Sequence, residues 1–253
     1  MIFIPISDDN PLRFIPYQWV TIGLIGANVI VYLAQTVGIG STAAGSLGLV
    51  PSELLDVGMF GGSAHGRNDT FAFPEGMTLL TYMFFHADLL HLSSNMLFLW
   101  VFGDNIEDAV GHLKFLLFYI ACGVGGGLAH VWMLPNSWVP LIGASGAVAG
   151  VIAAYLMLHP HVRVWVLVFR VVPMQITAVW VLGAWIASQL TMVLFTRGDH
   201  VAWSAHIGGM ICGSLLILVA RRPGVPLFDR GLPEQGHSPI TGHAVPSGPS
   251  ELP

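Results

Sequence analysis

Long apolar runs separated by shorter polar connections dominate the sequence. Six such runs can be marked to within a few residues: Tyr17–Val37, Leu89–Phe102, Phe115–Leu134, Val139–Leu158, Ile176–Phe195 and Val201–Ala220. A helix needs about 20 residues to cross a bilayer, and most of the runs are that long. The second run is short before Asp104, so we expect less apolar residues to extend it at both ends. The pattern predicts an all-α membrane protein with a bundle of six transmembrane helices.

The connections between the runs differ in character. The first, about Gly38–Asp88, is long and rich in Gly, Ser and Phe, and we expect it to lie on the membrane interface or dip into it. The segment His159–Arg170 is apolar but carries two arginines, which favours an interfacial connection. Beyond Arg221 the chain is rich in Pro, Gly and Ser, a composition typical of disorder. The predicted division is an N-terminal segment (1–16), a six-helix domain (17–220) and a disordered tail (221–253).

Composition supports the membrane class. Of the 253 residues, 54% are hydrophobic and only 9% are charged, whereas soluble domains carry roughly 25% charged residues. The formal net charge of −5 gives no indication of a nucleic-acid partner. Cys122 and Cys212 lie inside apolar runs, which is more typical of small buried side chains than of a disulfide or a metal site. The first residues lack the basic start and apolar stretch of a cleavable signal peptide.

The distribution of basic residues predicts the orientation of the spans. Seven Lys or Arg residues fall on the side of the N-terminus and two on the other side; the seven are Arg13, Lys114, Arg163, Arg170, Arg221, Arg222 and Arg230, and the two are Arg67 and Arg197. Basic loops stay on the cytoplasmic side of a membrane. Both termini are therefore predicted to be cytoplasmic, in the inner membrane of a bacterial cell.

Polar side chains within the spans are few, and such residues are costly in a membrane and commonly mark function. They are His91 and Asn95 in the second span, His130 in the third, Ser145 in the fourth and His206 in the sixth. The first two are four residues apart and share one helix face. Given the predicted orientation, His91, Asn95, Ser145 and His206 lie at similar depth in the outer half of the bilayer.

These residue types suggest nucleophilic catalysis. Ser145 is a weak nucleophile that needs an adjacent base, and His206 is the candidate at matching depth. Oxyanion donors would come from His91, Asn95 and the Ser145 backbone N–H. No Asp or Glu lies at this depth, so a Ser–His dyad is predicted. Gly209 and Gly213 form a small-residue face through which the sixth span could pack closely against the fourth.

Each feature also has a structural explanation. Gly143, Gly146, Gly209 and Gly213 alone would more often serve helix packing. His91 and Asn95 alone would more often be interhelical hydrogen-bonding groups, and we interpret His130 as structural. No metal site is predicted, because His86 and His91 are five residues apart, which is not the spacing of a helical zinc motif.

Four motifs together resemble the rhomboid family of intramembrane serine proteases. They are His86-Ala-Asp-Leu-Leu-His91-Leu-Ser-Ser-Asn95, Phe102-Gly-Asp-Asn-Ile-Glu-Asp108, Gly143-Ala-Ser145-Gly146 and Ala205-His206-Ile-Gly-Gly209-Met-Ile-Cys-Gly213. The resemblance runs from about Thr78 to Gly213. It implies a six-helix bundle with a water-filled cavity open to the outside. The nucleophile would be Ser145, the general base His206, and the oxyanion donors His91 and Asn95, with His86 in a supporting role.

The resemblance also implies cleavage of single-pass membrane proteins within or next to their transmembrane helices, without a cofactor. Two departures from the pattern stand out. Met77-Thr78 stand where many members carry Trp-Arg, and Ala149 stands where some carry a tyrosine under the catalytic histidine, so another aromatic such as Trp203 could hold the ring of His206. The first loop and the outer end of the fifth span, residues 189–196, are candidates for a substrate gate. Two alternatives stay open: a non-catalytic member that binds transmembrane helices, and a small transporter.

Overall fold

The computed structural model describes residues 3–38, 43–61, 71–169, 171–195 and 203–229. The α-helices of these ranges are α1 (Trp19–Thr36), α2 (Ala43–Leu47), α3 (Pro51–Val57), α4 (Glu75–Thr81), α5 (Leu89–Val110), α6 (His112–Met133), α7 (Ser145–Leu158), α8 (Ala178–Phe195) and α9 (Trp203–Ala220). A single 3₁₀ turn, Tyr82–Phe84, follows α4. Each of the six predicted apolar runs corresponds to a helix, and the predicted helical membrane bundle is confirmed.

Four of these helices, α1, α6, α8 and α9, are long and apolar enough to cross a membrane. Their outward surfaces are strongly apolar: Trp132, Trp180 and Val219 are 82%, 73% and 79% exposed. Large exposed apolar surfaces are rare on soluble monomers. By contrast, polar residues such as Asn95, His130 and Gln189 are buried inside the bundle. This arrangement suits a protein surrounded by lipid.

The second span is extended at its end as predicted, because α5 continues past Asp104 to Val110, but it still begins at Leu89. Its last turns carry Glu107 and Asp108, which are buried and accept backbone hydrogen bonds from the N-terminal segment and from the first turn of α1. Asp108 accepts from the N–H groups of residues 13–15, and Glu107 accepts from those of residues 20 and 21, at 2.7 to 2.9 Å. Glu107 thus caps the first turn of α1, whose own flanking residues provide no side-chain cap. These two acidic residues are tolerated in α5 because their carboxylates bind the backbone of residues 13–15 and of the start of α1.

The fourth predicted span begins too early, because α7 starts at Ser145 and not at Val139. Pro140 disfavours a helical residue before it, and Leu141 pairs with Leu49 in an isolated antiparallel bridge. Gly143 then adopts a φ of 119°, which interrupts any helix. With 14 residues, α7 is about 21 Å long at 1.5 Å per residue, shorter than a hydrocarbon core of about 30 Å.

A small antiparallel sheet is the element that the sequence did not predict. Its strands are β1 (Phe3–Asp8), β2 (Arg163–Val168) and β3 (Val172–Thr177), in the order β1-β2-β3. The central strand buries Val164 and Val166 against the bundle. The segment interpreted as an interfacial connection therefore contains strand β2. The predicted fifth span is correspondingly shortened, since residues 176 and 177 belong to β3 and α8 begins at Ala178.

The first connection and the start of the tail are both packed. Helices α2, α3 and α4 fold onto the bundle and bury Leu49 and Tyr82 almost completely. Residues 221–229, predicted as disordered, contact the domain: the N–H groups of Arg222 and Phe228 donate to the carbonyls of Ala109 and Met157 at 2.8 and 2.7 Å. The predicted tail therefore begins too early. Residues 62–70 of the first connection, the tail from 230 onward and the basic residues at 67, 170, 197 and 230 lie outside the described residues.

The core is built around α7. Residues 146–155 of this helix are all buried, and α5, α6, α8 and α9 all pack against it. The short helix is thus enclosed by longer helices, and its first residue lies at the end of the bundle where α5 and α9 also begin.

Candidate active site

Ser145 is the first residue of α7 and its side chain is only half-buried. The turn before it is held by Gly143, whose N–H donates to the carbonyl of Tyr82 at 2.9 Å. The phenol of Tyr82 in turn donates to the carbonyl of Gly123 on α6 at 2.7 Å. The first backbone N–H groups of a helix have no intrahelical partner, and this end carries a partial positive charge. The Ser145 hydroxyl therefore lies at a helix N-terminus suited to a developing anion.

The ring of His91 lies directly over Gly143. A Cβ atom built on Gly143 would be 2.7 and 2.8 Å from Cε1 and Nε2 of His91, so only glycine fits there. Asp88 caps α5 by accepting the His91 N–H at 2.8 Å. The N–H of Ala87 points at His91 Nδ1 at 3.5 Å. Because Nδ1 faces a donor, the ring hydrogen belongs on Nε2, the nitrogen next to Gly143.

Asn95 is buried one turn further along α5, and its amide donates to the carbonyl of His91 at 3.0 Å. Asn95 therefore shares the helix face of His91, as its spacing predicted. Within the described ranges, no hydrogen bond joins Asn95 to Ser145 or His206.

Close contact of α7 with α9 brings the region of His206 to that of Ser145. A Cβ on Gly209 would lie 1.9 Å from the carbonyl oxygen of Gly146, and one on Gly213 would lie 2.2 Å from that of Gly150. The carbonyl oxygen of Ala205 is 3.3 Å from an ideal Cβ on Gly146. The residue before His206 thus contacts the residue after Ser145, and glycine at these positions lets the backbones approach.

Three side chains surround the ring of His206. Its Nδ1 is 2.7 Å from Oε1 of Gln189 on α8. The rings of Trp185 and Trp203 have centroids 6.1 and 5.8 Å from that of His206, tilted by 31° and perpendicular respectively. Among the hydrogen bonds of the described residues, none joins the Ser145 hydroxyl to this ring; such bonds are often long before a substrate binds.

Two further histidines lie near the site. His86 is buried, its ring centroid is 5.0 Å from that of His91, and its ring nitrogens have no partner among the described residues. Burial, with the neighbouring His91 ring adding to it, lowers the pKa of His86 to about 4. His130 hydrogen-bonds the Ser204 hydroxyl at 2.8 Å and links α6 to α9.

Sequence reasoning missed two contributions to this site. It placed Gln189 in a candidate gate and did not connect it with His206. It also overlooked the glycines of α6, where a Cβ on Gly126 would lie 2.7 Å from the Ala205 carbonyl oxygen. The glycine-rich run 123–127, which repeats the small-residue pattern of α9, was the available signal. Within the described part of the chain, no group of three or more His, Cys, Asp or Glu residues could hold a metal ion.

Comparison with known proteins identifies the family. The family model described as the Rhomboid domain matches residues 74–223, more than half of the chain. The chain belongs to the rhomboid family. Rhomboids are intramembrane serine proteases, and the matched region runs from the approach to α4 through all of α9, so it contains Ser145, His206, His91 and Asn95.

Individual rhomboid relatives also match the chain. The chain is 29% identical over 148 residues to Rhomboid protein 1, mitochondrial, of Saccharomyces cerevisiae, covering 55% of this chain and 40% of the relative. It is 30% identical over 166 residues to Rhomboid protease GluP of Bacillus subtilis, covering 66% and 30% respectively. It is 42% identical over 81 residues to Rhomboid-like protein 11, chloroplastic, of Arabidopsis thaliana, covering 32% and 29%. The chain thus spans less than half the length of these relatives.

Proposed function

We propose that this rhomboid is an active intramembrane serine endopeptidase, in which Ser145 and His206 form the catalytic dyad. The observation that carries the proposal is the contact of the Ala205 carbonyl oxygen with Gly146, because it brings the residue before His206 close to the residue after Ser145, at the starts of α9 and α7. The relative named as a protease, from Bacillus subtilis, supports the same reaction class.

The reaction follows from the groups available. The Oγ atom of Ser145 attacks the scissile carbonyl carbon while Nε2 of His206 takes its proton. The tetrahedral oxyanion is stabilised by the Ser145 backbone N–H and by Nε2–H of His91, with the Asn95 amide as a further donor. The protonated His206 then gives its proton to the leaving amine, which breaks the peptide bond and leaves an acyl ester on Ser145. A water molecule, deprotonated by His206, hydrolyses that ester.

The substrates are proposed to be single-pass transmembrane proteins cut in or near their membrane helices. Peptide groups of a transmembrane helix are already hydrogen-bonded, so the scissile segment must unwind before it reaches Ser145. Segments with helix-breaking or small residues are therefore expected to be cut. We also propose a multi-pass position in the lipid bilayer with both termini cytoplasmic, as the basic residues indicate, and no nucleic-acid partner. We further propose that this bilayer is the inner membrane of a bacterial cell. The relatives named above include a bacterial protein as well as a mitochondrial and a chloroplast protein.

Single substitution tests the proposed dyad. Ser145→Ala and His206→Ala should each abolish cleavage of a transmembrane peptide substrate in proteoliposomes, because each removes a group that forms or breaks a bond. Wild-type protein should be labelled by a fluorophosphonate, and Ser145→Ala should not. Ser204→Ala, which removes a neighbouring hydroxyl that bonds His130, is the matched control for labelling. Cleavage by Ser145→Ala would refute the mechanism, and a folded wild-type protein that neither cleaves nor labels would favour a non-catalytic rhomboid that binds helices.

A further inference from the structure

The hydrogen bond between His206 and Gln189 determines which ring nitrogen of the base carries the hydrogen. Both residues are buried, with 8% and 4% exposure, and the Nδ1–Oε1 distance is 2.7 Å. An amide oxygen can only accept a hydrogen bond. Nδ1 must therefore be protonated, and Nε2 is left with the lone pair that a base needs.

The amide of Gln189 is itself fixed by its helix. Its Nε2 group donates to the carbonyl of Trp185 at 3.2 Å and to the hydroxyl of Ser188 at 3.0 Å. That hydroxyl donates in turn to the Trp185 carbonyl at 2.6 Å. Both amide hydrogens are thus used within α8. Turning the amide over would break these bonds and point a donor at His206, so the oxygen faces the ring.

An aromatic side chain from the same helix covers the histidine. Trp185 lies one turn before Gln189 on the same face of α8, and its ring is tilted by only 31° from that of His206. Trp185 packs against a small cluster formed by Ala149, Ala153 and Met210. The small side chain at position 149, where some rhomboids carry a tyrosine, leaves the space that Trp185 occupies.

We propose that Gln189 is the positioning residue of the catalytic base: it holds His206 with hydrogen on Nδ1 and Nε2 free to take the Ser145 proton, while Trp185 covers the ring. This inference rests on the proposed dyad. It assigns to α8 the task that a tyrosine on α7 has in some rhomboids. The orientation of the base therefore depends on α8 staying in place.

The test compares variants at position 189 in proteoliposomes with a transmembrane peptide substrate. Gln189→Leu removes the acceptor and should lower kcat about 10- to 100-fold with KM nearly unchanged, since the residue orients the base. Gln189→Glu keeps an acceptor oxygen and should recover much of this activity above neutral pH. Its carboxylate would stabilise the protonated ring, so the acidic limb of its pH–activity profile should move to higher pH. Gln175→Leu, the same change at an exposed glutamine on β3, is the matched control.

A second measurement does not depend on turnover. Nitrogen NMR of ¹⁵N-histidine-labelled protein should show His206 protonated at Nδ1 in the wild type and a mixture of tautomers in Gln189→Leu, with the signal assigned by its loss in His206→Asn. If Gln189→Leu misfolds, the longer-chained Gln189→Met takes its place. Unchanged kcat, a loss confined to KM, an unmoved profile in Gln189→Glu, or an unchanged tautomer would each overturn the proposal. Retained cleavage by Ser145→Ala would instead refute the dyad, and the NMR result would still stand by itself.

Discussion

Adding one methyl group at Gly209 should separate the two helices that carry the proposed dyad. The new Cβ would lie 1.9 Å from the backbone oxygen of Gly146, about 1.5 Å short of ordinary contact. That oxygen belongs to the central helix and cannot rotate away as a side chain would, so α9 must shift. Overpacking of this kind costs about 1–3 kcal/mol, although alanine itself favours a helix by about 1 kcal/mol over glycine.

The loss of activity should be larger than the loss of stability. His206 is three residues before Gly209 on α9, so a shift of that helix moves the base relative to Ser145. A misplacement of about 1 Å in an active site can lower the rate about 100-fold. We expect Gly209→Ala to lower kcat/KM for a transmembrane peptide in proteoliposomes by about that factor, with a modest fall in melting temperature.

Two matched controls separate this effect from the chemistry of the substitution. Gly23→Ala and Gly26→Ala make the same change on α1, where an added Cβ meets nothing within 4 Å. Both should retain wild-type activity and equal or greater thermal stability. Folded Gly209→Ala that cleaves within about threefold of the wild-type rate would refute this prediction. The position of His206 would then not depend on the close contact between Gly209 and Gly146.

Two further predictions concern the first turn of α1 and the N-terminal segment before it. Glu107→Gln should lower the free energy of unfolding by about 2–4 kcal/mol, because the new amide hydrogens would face the N–H groups at the start of α1. Denaturant titration measures this free energy. The control is Asp56→Asn at an exposed position, which should change it by less than about 0.5 kcal/mol. Burial raises the pKa of Asp8 to about 6, against the opposing hydrogen bond from Tyr155. The folded protein therefore binds more protons than the unfolded chain between about pH 4 and 6, and Asp8 makes stability fall as pH rises through that window. Asp8→Asn should remove this contribution while keeping an acceptor for Tyr155. The measurement is the melting temperature of each protein between about pH 4 and 6. A difference between wild type and variant that does not change with pH would contradict the assignment.

The parts of the site that the sequence predicted share a simple physical signal. Ser145 and His206 are polar residues in apolar runs, and such residues are costly enough in lipid to stand out. Gly209 was predicted to allow close helix approach because small residues at four-residue spacing form a flat face. Both signals are local, so a single sequence carries them.

The parts that it could not predict depend on tertiary packing. Gln189 is a neutral side chain in an ordinary helix, and its contact with His206 depends on the packing of α8 against α9. The pairing of β1 with β2 joins residues more than 150 positions apart, and nothing in either segment specifies the other. The start of α7 at Ser145 does have a signal in the sequence, because Pro140 and Gly143 both disfavour a helix, although the apolar run begins before them.

The capping of α1 by Glu107 also has a consequence for how the protein is made. The carboxylate and its partner Thr21 are 86 residues apart in sequence. At 5–20 residues per second, a ribosome needs roughly 4–17 seconds to synthesise that interval. During this time the N–H groups of residues 20 and 21 lack the carboxylate that accepts from them in the folded protein. The hydrogen bonds that cap the first turn of α1 can therefore form only after α5 has been synthesised.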